Sequence, residues 1–128
     1  MKRIINRSSF FMHYRNLIPI FVLLAASCNE SGQATISGQV KHHSDSIPNA
    51  VVYIKFNSEF PGTDVNFYDE SVPCDAQGNY SFYEVPKGTH YLYGAGWDAG
   101  ISDSVFGGIP VLIDKKKLNK EVDVPITE

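Results

Sequence analysis

Acidic residues are missing from the first 29 positions, and arginine is missing from everything after Arg15. These two absences divide the chain before any motif is sought. The four cations of the first 27 residues (Lys2, Arg3, Arg7, Arg15) have no counter-charge there, whereas the remaining 101 residues hold seven lysines and all 14 acids, a formal charge of -7. The overall value of -3 therefore averages two unlike segments. An acidic body lacks the basic face with which nucleic-acid readers neutralise phosphates, so no nucleic-acid partner is expected. Cysteine is scarce too, Cys28 and Cys74 only, which excludes a disulfide-stapled scaffold. No apolar run approaches the roughly 20 residues that a helix needs to cross a bilayer. A length of 128 residues leaves room for one domain and little more.

What the first segment does contain is the layout of an export signal: basic residues, the apolar stretch 17–24, then the small Ala25, Ala26 and Ser27. Met12 offers a second start that leads to the same mature chain. The string Leu24-Ala25-Ala26-Ser27-Cys28 resembles the lipobox of bacterial lipoproteins, with Ala25 where that family usually has leucine. The resemblance implies a signal peptide over 1–27, acylation of Cys28, a tether over 28–33, and a protein anchored in the membrane of the cell envelope. Asn29 stands where an aspartate holds some lipoproteins at the inner membrane, which points to the outer one. Each buried acyl methylene contributes about 0.8 kcal/mol, so an anchor of several chains is firm. The five residues 29–33 span at most about 18 Å, which keeps the following domain close to the bilayer. Cys74 is then a lone thiol, expected to be a small half-buried residue near a turn.

Beyond the tether the chain is written in period two. Ile36, Gly38 and Val40 alternate with polar neighbours, as in a strand with one buried face. The turn-forming stretch 42–49 follows, then the alternating set Ala50, Val52, Ile54 and Phe56. After a connection over 57–66, residues 67–72 make a weaker strand, and Asp75 with Gly78 builds a hairpin turn. Tyr80, Phe82 and Val85 share a face, residues 89–95 form a strand dense in aromatics, and 96–108 is expected to be irregular because of its glycines. Ile109, Val111 and Ile113 form the next inward row, and Val122, Val124 and Ile126 the last. Pro125 lacks an N–H, so its strand should lie at an edge or turn that face outward. No part of this region has helical periodicity. Seven short strands with turns every 8 to 12 residues predict an all-β, antiparallel β-sandwich over 34–128.

Four pieces of this region carry a family resemblance. Ile36-Ser37-Gly38-Gln39-Val40, Ile47-Pro48-Asn49-Ala50-Val51-Val52, Asp75-Ala76-Gln77-Gly78-Asn79-Tyr80-Ser81-Phe82 and Val85-Pro86-Lys87-Gly88 resemble the carboxypeptidase regulatory-like domains. These belong to the transthyretin-like and starch-binding-like sandwiches. The matching residues have scaffold uses: Gly38 permits a close approach, Asp75 and Gly78 a tight turn. His90 stands where the family usually has an aromatic, and with Leu92 beside it is expected to point inward. Fold does not fix function.

The residues offer little catalytic chemistry. Nucleophilic hydrolysis needs Ser or Cys, a histidine and an orienting acid in one cleft. The mature part has three histidines, two of them adjacent, and no Gly-x-Ser-x-Gly, so a non-enzyme is expected, with no cofactor. His42-His43 with Asp45 has donors for a transition metal, but adjacent extended side chains point apart, and the stretch reads as a solvated loop. The acids Asp64, Asp69, Glu70, Asp98 and Asp103 lack the spacing of a calcium loop, so no metal site is expected. The aromatic set is more suggestive. If Phe82 and Leu92 face the core, Tyr83, Tyr91 and Tyr93 lie on the opposite face, joined by Trp97 and by Tyr53. Flat rings with polar rims suit a glycan or an envelope protein partner, and Tyr83, Tyr91, Tyr93 and Trp97 are the candidate binding residues. Cross-strand packing of half-buried tyrosines is the competing use of the same rings.

Overall fold

The computed structural model describes residues 32–128. Cys28, the signal peptide and most of the tether lie outside the described residues. None of the helices among the described residues is long and apolar enough to cross a membrane.

Among the described residues nine strands form two sheets: β1 Ala34–His42, β2 Asp45–Ser46, β3 Val51–Lys55, β4 Glu70–Pro73, β5 Asn79–Val85, β6 Gly88–Asp98, β7 Asp103–Ile113, β8 Asn119–Glu121 and β9 Val124–Ile126. In the first sheet β1 is central. β5 and β2 pair with it antiparallel, while β8 and β9 run parallel to it. The second sheet has the order β4-β3-β6-β7, all antiparallel. The inward rows meet in one core, with Ile36, Val52, Phe82, Leu92, Val111 and Val124 among its buried members.

Four expectations are corrected. The described residues hold nine strands rather than seven, because β2 and β8 are short, fully exposed pieces that pair with β1 without any apolar alternation to announce them. The first sheet is mixed rather than antiparallel, because the chain leaves β7, crosses to the other sheet over 114–118 and arrives beside β1 in the same direction. Alternation of side chains carries no information about a neighbour's direction. The segment 96–108 is not irregular: β6 and β7 are 11-residue strands paired from Gly88↔Ile113 to Asp98↔Asp103. Its glycines hide the alternation but leave backbone pairing intact. The weak strand is shorter and later than 67–72, since residues Val65–Phe67 make a turn of 3-10 helix and β4 starts at Glu70.

Two scaffold residues serve the uses that their motifs suggest. A side chain on Gly38 would place its Cβ 1.8 Å from the Val122 carbonyl oxygen, so only glycine lets the 122–123 segment bulge against β1. That segment divides the last strand in two, and the Gln39 N–H is taken by the Asp123 carboxylate at 3.0 Å. Asp75 accepts from the Gln77 and Asn79 N–H groups at 2.8 and 2.9 Å, closing the turn in which Gly78 has φ of 79°. Those hydrogen bonds hold the Asp75 carboxyl below its usual range. Pro125 sits in β9 opposite Lys41 and faces out. Beyond it, Thr127 and Phe106 exchange backbone hydrogen bonds of 2.8 and 2.9 Å, which ties β9 to β7 and links the two sheets along one side.

Candidate functional site

The β6–β7 hairpin positions the aromatic candidates. Along β6, His90, Leu92 and Asp98 face inward, so Tyr91, Tyr93 and Trp97 face out from the second sheet. Tyr53 on β3 lies opposite Tyr93, with ring centroids 6.4 Å apart. The expected cluster of these tyrosines does form, but it is roofed. The 56–69 connection folds back over it, placing Phe60 against Tyr91 at 5.3 Å and Tyr68 against Tyr93 and Tyr53 at 5.7 and 6.0 Å. Tyr91 and Tyr93 are left only 9% and 7% exposed. The Tyr68 hydroxyl donates to the Gly62 carbonyl at 2.7 Å, and burial pushes its phenol up to about 12. Asp69 closes the roof by accepting from the Phe56 N–H at 2.8 Å and from Lys55 Nζ at 3.3 Å.

Trp97 is different. It lies beyond the roof, is 57% exposed, and stands beside Ser104 in the ladder. Phe106, 46% exposed, projects from the same face two pairs along, opposite Ala95. Phe106 is a residue that sequence reasoning missed. The alternation Val105, Gly107, Ile109, Val111, Ile113 carried it, and reading Gly107 as an inward position would have exposed it.

Tyr83 does not join this surface. It is 69% exposed, but it belongs to β5 and so to the other sheet. Strand alternation placed it correctly on an outer face, and strand order separates that face from β6. Near it, on the outer side of the first sheet, runs a polar groove of about 580 Å³ lined by Ser37, Gln39, Lys41, Asn79, Glu121 and Asp123. Several of its polar groups are engaged within the fold: Gln39 Nε2 donates to the Gln77 carbonyl, and Lys41 pairs with Asp123 at 3.4 Å.

Among the described residues two histidines are buried, with unlike partners. His90 is wholly buried and faces inward beside Leu92, as expected. Its Nδ1 accepts from the Asn57 N–H at 3.0 Å and its Nε2 donates to the Pro86 carbonyl at 2.7 Å, so it pins two turns. His42 does not lie in a solvated loop: it ends β1 and is 3% exposed. Nor is Asp45 its partner. Its Nδ1 meets Asp98 Oδ2 at 2.6 Å and its Nε2 meets Glu128 Oε1 at 2.7 Å. Hydrogen bonding to Asp98, opposed by desolvation and reinforced by Glu128, holds its imidazolium above the usual range. The same contacts draw the Asp98 and Glu128 carboxyls below theirs. Cys74 is buried in the core, and desolvation raises its thiol to about 11, which leaves little of the reactive thiolate at neutral pH.

No family model matches the sequence, and no curated protein matches it. Among solved structures, a Pseudomonas aeruginosa protein provisionally described as carbohydrate binding aligns with a TM-score of 0.53 and 14% identity, over 75% of this chain and 90% of that one. The group B streptococcus pilus 2b backbone protein aligns at 0.42 and 18% identity, over 77% of this chain and 41% of that one. The major pilin subunit of Bacillus cereus aligns at 0.42 and 11%, over 73% and 30%. The first likeness supports a β-sandwich fold; at such identities none of them transfers a ligand.

Proposed function

We propose that this chain is a non-catalytic binding module of the cell envelope, anchored through acylated Cys28, and that Trp97 with Phe106 is its contact surface. The bare aromatic pair on the rigid β6–β7 ladder is the observation that carries this reading. An exposed indole offers a flat apolar face to the C–H side of a sugar ring, and Ser104 beside it supplies a polar rim. A glycan is therefore the ligand class that suits the surface best, and a protein of the envelope is the alternative. The positions of Gly38, the 75–79 turn and the 86–88 turn support placing the domain among the carboxypeptidase regulatory-like, transthyretin-like sandwiches.

Glycan-array binding followed by calorimetry tests the surface. Trp97→Ala and Phe106→Ala are expected to weaken glycan binding by about tenfold or more, the size of an interface hot spot. Unchanged binding in both variants overturns the assignment. Loss of a co-purifying envelope protein in the same variants, with no glycan bound by the parent chain, assigns the surface to a protein instead. Mass spectrometry of the mature chain should find acyl groups on an N-terminal Cys28, and Cys28→Ser should release the protein from the membrane.

A further inference from the structure

His42 and His43 are adjacent, and successive side chains of an extended strand point to opposite sides. His43 escapes that rule. Its φ of 58° is left-handed, an uncommon state for a residue with a side chain, and its ring stacks near that of His42 with centroids 4.3 Å apart. Glu128 reaches the same place from the far end of the sequence. The β1–β9 ladder sets Ile126 beside His42, the Thr127–Phe106 pair fixes the next residue, and the Glu128 carboxylate then meets His42 Nε2. One ligating atom from each of His42, His43 and Glu128 lies within 4.8 Å of the others.

We propose that His42 Nε2, the His43 imidazole and the Glu128 carboxylate bind a divalent transition-metal ion, Zn²⁺ foremost, with Asp98 as the positioning partner of His42. Two imidazoles and one carboxylate form a borderline-soft donor set that suits Zn²⁺ and is too poor in oxygen for Ca²⁺ or Mg²⁺. Metal-ligating histidines characteristically give their other ring N–H to a carboxylate, which fixes tautomer and orientation. Asp98 does this at His42 Nδ1 and is itself held by the Gly100 N–H at 2.8 Å. The ion takes the place of the proton now shared by His42 Nε2 and Glu128. With metal bonds of about 2.1 Å, the ligand atoms of a tetrahedral site stand roughly 3.4 Å apart, a modest opening from the hydrogen bond. His42 is buried, whereas His43 and Glu128 are exposed. The carboxylates of Glu128 and Asp98 offset the charge of the ion, and three protein ligands leave one position for water or a ligand group.

The test is calorimetry of Zn²⁺ with the mature full chain in detergent, prepared without a polyhistidine tag, and Co²⁺ as an optical probe of coordination. One ion per chain is expected, with the intense visible bands of four-coordinate Co²⁺. Asp98→Asn should weaken binding about 10–100-fold, as loss of an orienting partner does. His43→Ala and Glu128→Gln should weaken it further and abolish the bands. Both sites are exposed, and the melting curve of each metal-free variant controls for folding. No uptake of Zn²⁺ by the parent chain, or uptake that His43→Ala and Glu128→Gln leave unchanged, overturns the proposal.

Discussion

The outer face of the second sheet has two halves that share strands and differ in cover. Over β3 and the first part of β6, Phe60 and Tyr68 lie on Tyr91 and Tyr93 and make a second small core. Toward the end of the β6–β7 hairpin, Trp97 and Phe106 remain open. The difference follows from the connections. The segment 56–69 is long enough to fold back across the sheet, whereas the hairpin turn 99–102 has only four residues between its strands. An outward aromatic is thus a core residue or a contact residue according to which loop can reach it, a property that alternation alone does not determine.

Substitutions on the two halves should separate them. The largest effect is expected at Tyr93→Ala, which empties the roofed cluster and should cost about 2–4 kcal/mol in urea unfolding. A cost below 1 kcal/mol would mean that the roof packs no tighter than a loop. Alkaline pH gives a second contrast. The Tyr68 phenol is raised from its ordinary 10 to about 12 chiefly by burial, so the folded chain holds this proton more tightly than the unfolded one. That contribution is whole below pH 10 and fades as pH rises through 12; Tyr68→Phe should flatten this part of the stability profile, and an unaltered slope would place its cause elsewhere. Cys74 extends the contrast to the main core: a thiol reagent at neutral pH should label it only after denaturant is added, and rapid native labelling would contradict its burial. The smallest effect is expected at Trp97→Ala, within about 0.5 kcal/mol of the parent chain, as for an exposed side chain without structural partners.

Much of the architecture was legible because it is local. Ile36 to Val40, Val52 to Ile54 and Val124 to Ile126 advertise their inward rows by period two, and Asp75 with Gly78 marks its turn through chemistry within five residues. The long hairpin was hidden by Gly94, Gly96, Gly107 and Gly108, which pair as strand residues without contributing an apolar signal. The cover over Tyr91 and Tyr93 depends on where a loop folds, and the parallel pairing of β8 and β9 depends on which way the chain returns. The histidine cluster was the least legible. Its partners stand 56 and 86 residues from His42, and Asp45, the acid nearest in sequence, takes no part.

The central place of β1 has a mechanical consequence. The segment that precedes the domain feeds into this strand, and β1 is bonded along both edges, to β5 and β2 on one side and to β8 and β9 on the other. A pull entering through residue 33 acts along the strand, so both ladders resist it together in shear instead of opening one bond at a time. A domain tethered by this end should be hard to extract by force, and its first strand should be among the last to yield.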